Sequence, residues 1–198
     1  MSLSIFEDLA EKSWTVQNDW LSPEETRHLA SQIQDLRKKG AFRAAGFGRT
    51  AAADKKIRGD EIFWLSPDQD IAQHLWPRLE DLREQLNREF FLGLTGFEAH
   101  LAAYPVGSFY AAHHDRPPQG LPGQGQRMIS LVLYLNPEWR EDDGGELAIY
   151  DPHHPETPQH RILPLGGRLV LFRSDTILHG VLPAKRERLS LTAWFRKP

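Results

Sequence analysis

The residues with the clearest chemical content are His113, His114 and Asp115. On a β-strand alternate side chains share a face, so His113 and Asp115 point together and His114 points away, as a surface or supporting group. A His-x-Asp pair presents one imidazole and one carboxylate to a common point. A second imidazole from another strand would complete a 2-His-1-carboxylate set, which holds iron(II) and leaves three positions open. His179 stands in an expected strand well downstream, and Arg188 follows it by nine residues on the next one. Antiparallel neighbours joined by a short turn bring such positions close. A guanidinium is the natural bidentate partner for a carboxylate deep in a barrel. Alternation puts Arg188 on one face with Ser190 and Thr192, away from Leu189, Leu191 and Ala193.

These residues need a scaffold, and the chain divides into two textures. In the first half, Ser22-Pro23-Glu24-Glu25 reads as an N-cap, a first-turn proline and first-turn acids. Leu29, Ile33 and Leu36 recur at helical spacing, and Gly40 after Lys38-Lys39 marks the stop. A second start at Ser66-Pro67-Asp68 leads to Leu75, Leu79, Leu82 and Leu86, with Pro77 as a kink or break. From Phe97 the texture changes to short runs that read as strands: 97–104, 109–115, 127–136, 145–151, 160–164, 168–172, 177–183 and 187–196. Turn signals such as Pro122-Gly123, Gly144-Gly145 and Gly166-Gly167 separate them. This many short strands predicts a sandwich or barrel braced by the helices. Neither an internal repeat nor a linker is visible, so 1–198 reads as one domain: helical support and a loop over 1–95, a β core over 96–198. Residues 40–57 and 116–126 lack periodicity and read either as surface loops or as lids over a site. The stretch 40–60 in particular is expected to order over a protein substrate.

Composition narrows the function. The 198 residues are 40% hydrophobic, with six Trp and ten Phe, enough for a sizeable core. A net charge of -3 supplies no global basic field for nucleic acid. There is no cysteine, which excludes thiol chemistry and thiolate-bound zinc. The start MSLSIFEDLAEKSW does not read as a secretory signal, and no run approaches the ~18 apolar residues of a membrane span. A cytoplasmic protein is expected, with no membrane and no nucleic acid among its partners.

Tyr104-Pro-Val-Gly107-Ser-Phe-Tyr110-Ala-Ala-His113-His-Asp115 resembles the Y-x2-G-x2-Y-x2-H-x-D signature of the prolyl 4-hydroxylase family. The likeness continues through Tyr134-Leu135-Asn136, Gly144-Gly145-Glu146-Leu147, His179-Gly-Val181-Leu-Pro183 and Arg188-Leu-Ser-Leu-Thr192-Ala-Trp194-Phe. Ile57-Arg58-Gly59-Asp60 with Trp64 is similar to the segment after the finger loop of the oxygen-sensing prolyl hydroxylases. Collagen-type enzymes place a lysine where Arg188 stands, so the likeness is to the oxygen-sensing type and its bacterial relatives, which hydroxylate elongation factor Tu. One departure is a Tyr104-to-His113 spacing one residue shorter than in the animal enzymes.

The resemblance implies a double-stranded β-helix (a jelly-roll, cupin-like core) with N-terminal helices on one face. It implies iron(II) held by His113, Asp115 and His179, with 2-oxoglutarate and O2 as co-substrates and ascorbate as a reductant. Arg188 and the Tyr134 hydroxyl would grip the far carboxylate, and Tyr104, Thr192 and Trp194 complete the co-substrate set. Arg58 and Asp60 are substrate-binding candidates on the same ground, or else an ordinary surface ion pair. The implied reaction is hydroxylation of a proline in a protein, elongation factor Tu first, coupled to conversion of 2-oxoglutarate to succinate and CO2.

The alternatives are a hydroxylase of a free amino acid or other small molecule, and a metal-binding barrel without turnover. Oxidative demethylation of nucleic acid is disfavoured by the charge and by Trp194, where those enzymes carry an arginine. His153-His154 reads as a proline-rich turn, and Gly144-Gly145 as a hairpin turn. His100 reads as pocket lining or core. His28, His74 and His160 have no evident partner.

Overall fold

The computed structural model describes residues 3–46, 57–115 and 125–198. Residues 47–56 and 116–124 lie outside the described residues, and with them most of the two expected loops and the centre of the expected lid. Among the described residues the chain runs α1 (Leu3–Lys12), β1 (Trp14–Gln17), α2 (Pro23–Lys38), β2 (Arg43–Ala44), β3 (Glu61–Trp64) and α3 (Trp76–Phe90). It continues β4 (Gly96–Tyr104), β5 (Tyr110–His113), β6 (Gln126–Tyr134), β7 (Leu147–Asp151), β8 (His154–Ile162), β9 (Leu169–Arg173), β10 (Leu178–Val181) and β11 (Arg188–Lys197).

Local chemistry sets the helices. The Ser22 hydroxyl accepts from the Glu25 amide at 3.1 Å, and the Glu25 carboxylate accepts from the Ser22 amide at 2.7 Å, so α2 starts where its N-cap predicts. It ends before Gly40, whose φ of +70° suits a glycine stop. The second helix differs from expectation. It starts at Trp76, after a 3-10 turn at Asp70–Ala72, and Pro77 sits in its first turn. A missing amide costs nothing there, because that position has no partner inside the helix, so Pro77 helps to begin α3 and does not kink it.

The strands form a seven-stranded sheet, β1-β9-β6-β11-β4-β3-β2, and a four-stranded sheet, β5-β10-β7-β8, with every pairing antiparallel. Alternation gives the large sheet two different faces. Leu101, Leu131, Leu133, Leu171, Leu189, Leu191 and Phe195 join Leu29, Ile33, Leu79, Leu82 and Leu86 of the helices in one core. Each fully buried leucine there contributes roughly 1.5–3 kcal/mol. The other face turns Val132, Tyr134, Val170 and Phe172 toward Leu147, Ile149 and Ile162 of the small sheet. Two facing antiparallel sheets with helices on one outer side make the double-stranded β-helix expected above.

Four short strands or pieces escaped the sequence pattern. β1, β2 and β3 hold four, two and four residues and exist through pairing, β1 with β9, β3 with β4 and β2 with β3, too short for a periodic signal of their own. β8 spans His154–Ile162, where a strand over only 160–164 and a turn at His153-His154 are expected. It is an edge strand carrying Pro155 and Pro158, and prolines are tolerated where no further strand needs their amides. His153 alone keeps the turn, its amide donating to the Asp151 carboxylate at 2.8 Å.

Candidate functional site

His113 ends β5, His179 lies in β10, and the two are register partners. Asp115 follows two residues after His113, and the donor atoms of the three all lie within 4.8 Å of one another. Nε2 of His113 is 3.4 Å from one Asp115 carboxylate oxygen, and Nε2 of His179 is 3.7 Å from the other. Both rings are oriented from behind. Nδ1 of His113 donates to the Ala111 carbonyl at 2.8 Å, and Nδ1 of His179 to the Ile177 carbonyl at 3.1 Å. A carbonyl only accepts, so the proton belongs on Nδ1 in each ring and the Nε2 lone pair faces the centre. His114 is exposed and takes no part.

Burial pushes the His179 imidazole down to about 4, against the pull of Asp115, so this ring is neutral near pH 7. For Asp115, burial works to raise the carboxyl. His179, His113 and a hydrogen bond from the Ser130 hydroxyl outweigh it and hold the group well below the usual carboxylate range. Two imidazoles with free lone pairs and one carboxylate, converging on a point, suit a divalent transition metal such as iron(II).

Arg188 opens β11 opposite Tyr104 of β4 and is only 2% exposed. Its guanidinium carbon lies 5.1 Å from the Tyr104 ring centroid and 5.0 Å from that of Tyr134. Nε donates to the Gly145 carbonyl at 2.9 Å and a terminal nitrogen reaches the Ser190 hydroxyl at 3.4 Å. Among the described residues no carboxylate pairs with this guanidinium, and the Tyr134 hydroxyl beside it is buried without a hydrogen-bond partner. Burying a charge and a hydroxyl this way is costly unless a partner arrives. Together they fit an incoming carboxylate.

Gly144-Gly145 does not close a hairpin; it follows a 3-10 turn at Glu141–Asp143 and leads into β7. A Cβ on Gly145 would stand 2.9 Å from the Ala184 Cβ and 3.3 Å from the Arg188 Cδ, on a backbone with φ of +73°. Glycine there lets the arginine reach the carbonyl, a role the sequence pattern does not announce.

Farther along β11 the face changes character. Thr192 pairs with His100 and Val132. Trp194, six residues and about 20 Å along the strand from Arg188, is not brought to the arginine. Its ring lies under the Arg127 guanidinium, 3.7 Å from the centroid, and 5.2 Å from the His100 ring. Trp64, half exposed, packs 5.1 Å from His100. His100 is thus aromatic-lined and 2% exposed, and burial pushes its imidazole down to about 3.

Arg58 and Asp60 are no surface pair. They form two hydrogen bonds, each 2.6 Å, with side chains 11% and 0% exposed. Arg58 bridges to Tyr110 and lies 4.4 Å from its ring, and Tyr110 stacks on His113 at 3.7 Å between centroids. The pair therefore packs against the wall that carries a triad member.

Comparison with known proteins places the chain in a family. Residues 99–196 match the model of the 2OG-Fe(II) oxygenase superfamily. A solved Pseudomonas putida prolyl-4-hydroxylase is 37% identical with a TM-score of 0.85, and the match covers 100% of each chain. A prolyl hydroxylase from Trichoplax adhaerens, solved with a hypoxia inducible factor peptide, has a TM-score of 0.85 at 27% identity, over 98% of this chain and 87% of that one. The hypoxia-inducible factor prolyl hydroxylase of Caenorhabditis elegans is 28% identical over 96% of this chain, which spans only 27% of that relative's length.

Proposed function

We propose that this chain, which belongs to the 2OG-Fe(II) oxygenase superfamily and stands among its prolyl hydroxylases, hydroxylates a proline of a protein substrate. The observation that carries the reading is that the interior between the two sheets holds both the His113–Asp115–His179 cluster and, from the large sheet, the Arg188 guanidinium, without a carboxylate partner among the described residues, beside the Tyr134 hydroxyl. The cluster is a seat for iron(II). The cation and hydroxyl are a seat for the distal carboxylate of 2-oxoglutarate.

Bound iron(II) and 2-oxoglutarate supply the oxidation itself, with O2 consumed, succinate and CO2 released and one oxygen atom passed to the substrate; that chemistry is the cofactor's. The chain's own residues prepare it. The Ala111 and Ile177 carbonyls fix both imidazoles in the tautomer that can ligate. Ser130 and the imidazoles keep Asp115 anionic. Arg188, with Tyr104 and Tyr134 against it, orients the co-substrate, and Thr192 lies between that seat and the aromatic end of β11. Val132, Val170, Phe172, Leu147 and Ile149 keep water out of the barrel. At the aromatic end, half-exposed Trp64 with Trp194 offers apolar surface to a peptide. Arg58 and Asp60 brace the segment entering β3 against Tyr110.

The Trichoplax relative, solved with a peptide, supports a polypeptide substrate. Elongation factor Tu is the first to test, on the likeness to its bacterial modifiers, in a cytoplasmic setting and with ascorbate as reductant. Purified elongation factor Tu, treated with the protein, iron(II), 2-oxoglutarate and air, is expected to gain one oxygen on a prolyl peptide in the mass spectrum, more slowly without ascorbate. Turnover of 2-oxoglutarate stimulated by a free amino acid, with no modified peptide, would move the reading to a small-molecule hydroxylase.

A further inference from the structure

The carboxylate of the cluster stands outside the two strands that carry its imidazoles. Asp115 lies two residues past the end of β5 (Tyr110–His113), beyond the pairing that fixes His113 against His179. Beyond the two imidazoles, its contacts come from the other sheet. A terminal nitrogen of Arg127, on β6, donates to the Asp115 main-chain carbonyl at 3.3 Å. The Arg127 Nε donates to Glu98 of β4 at 2.8 Å, and the guanidinium stacks 3.7 Å from the Trp194 ring centroid. That side chain is clamped on three sides. Ser130, also on β6, is fully buried between its register partners Trp194 and Phe172, and Phe172 lies 4.5 Å from the His179 ring. Its hydroxyl is near enough to Asp115 to help hold that carboxyl low, and it shares a 2.8 Å hydrogen bond with the Ser174 hydroxyl, which is buried as well.

A break in the β6–β11 ladder makes this possible. Ser130 pairs with Trp194 and Ile129 with Phe195, but Arg196 pairs with Arg127, so Met128 is the extra residue of a bulge. Strict alternation would put Arg127 and Ser130 on opposite faces. The bulge returns Arg127 to the face that Trp194 and Ser130 share.

We infer that Arg127 and Ser130 are positioning residues for Asp115, holding its main chain and its carboxylate so that the third ligand is in place before a metal arrives. The group fits the donor set described above, and the inference rests on the reading of His113, Asp115 and His179 as a metal site. Partners that orient a ligand in this way commonly change metal affinity about 10–100-fold when removed.

The test reads metal binding without turnover: Mn(II) titrated into the purified protein, free ion followed by electron paramagnetic resonance, with neither 2-oxoglutarate nor peptide present. Ser130→Ala, a change of one buried hydroxyl, is expected to weaken Mn(II) binding by about 10-fold or more, and Ser130→Thr to restore most of it. Arg127→Met keeps the stem on Trp194 and removes the donors; about a 10-fold loss is expected, with partial return in Arg127→Lys. The bound-Mn(II) spectrum should broaden in Ser130→Ala, a sign of a less ordered ligand set that simple loss of stability would not give. If Arg127→Met fails to fold, Ser130→Ala and its threonine rescue decide alone. Affinity and spectrum unchanged in Ser130→Ala would overturn the role of Ser130, and an Arg127→Met that folds with unchanged affinity that of Arg127. Wild-type protein that binds no Mn(II) would overturn the metal site and this inference together, whereas wild-type protein that binds Mn(II) yet hydroxylates no prolyl peptide would overturn only the substrate reading.

Discussion

Replacing Arg188 by methionine separates the co-substrate seat from the metal seat. The side chain is 2% exposed, lies between two tyrosine rings and has no carboxylate partner among the described residues. Its removal has two opposing effects on the protein without co-substrate. Loss of a buried cation that lacks a carboxylate partner is relieving, because its desolvation cost goes with it. The Gly145 carbonyl, which accepts from Nε at 2.9 Å, loses its donor, at about 1–3 kcal/mol. The two offset, so the variant is expected to fold with a melting temperature near that of the wild type.

Binding has no such offset. Deleting one partner of a buried, hydrogen-bonded charge pair costs about 2–5 kcal/mol, and each 1.4 kcal/mol is tenfold, so the 2-oxoglutarate Kd should rise by about 30-fold at the least. With Mn(II) bound and 2-oxoglutarate at about 100 times the wild-type Kd, linkage stabilises the wild type by about 2.7 kcal/mol, or roughly 5–11 °C in Tm for a chain of this size. At that concentration a 30-fold weaker variant keeps about 0.9 kcal/mol, roughly 2–4 °C. Thermal unfolding with and without 2-oxoglutarate reads the difference directly, and calorimetric titration checks the Kd. Arg188→Lys should fall between, because the charge returns without the fork. A full wild-type shift in Arg188→Met would show that the carboxylate is gripped elsewhere.

The remaining expectations are briefer. His179→Ala should abolish 2-oxoglutarate turnover while circular dichroism stays native, whereas His114→Ala, on an exposed side chain, should retain most activity; wild-type turnover in His179→Ala would remove the metal assignment. Gly145→Ala forces a Cβ to within 3.3 Å of the Arg188 Cδ at a positive φ, and should cost about 1–3 kcal/mol in urea unfolding together with weaker 2-oxoglutarate binding. His100 has a folded value of about 3 against an ordinary 6.5, so below pH 6.5 the unfolded chain takes up the proton first and stability falls with pH until about pH 3. From pH 7 to pH 5 that is about 2 kcal/mol, and His100→Phe should flatten this part of the acid arm in paired urea titrations. Asp60→Asn strands the buried Arg58 guanidinium and should destabilise by about 3–5 kcal/mol, far beyond what an exposed pair would give.

The parts of the site that were legible in the sequence are those ruled by unbroken alternation. His113 and Asp115 are two residues apart, and Arg188 and Thr192 share a face of β11, as the period of a strand requires. The supports of Asp115 were hidden because the bulge at Met128 reverses the facing of Arg127, and no residue type in Gln126-Arg127-Met128-Ile129 signals a bulge. Gly145 was hidden differently: a glycine pair reads as a turn, and its contact with Arg188 is visible only once β7 and β11 are placed. Pro77 and the prolines of β8 misled because a proline's effect depends on whether its missing amide had a partner, a fact of position and not of composition.

Tyr104 carries the same lesson to the one departure from the family spacing. The resemblance leads one to expect that a shorter count from Tyr104 to His113 moves the ring away from its place. Its place is set across the sheet instead. Tyr104 is the register partner of Arg188, at the end of an unbroken ladder from Arg196↔Gly96 to Arg188↔Tyr104. The count to His113 runs through the turn after it, where Gly107 takes a φ of +76° and its amide donates to the Ala184 carbonyl at 2.9 Å. The length of that turn sets the path from β4 to β5 and leaves the ring against the guanidinium, 5.1 Å from its centroid. The contacts of a residue on a long ladder follow from its cross-strand partner, and the count to the next motif tests only the loop between them.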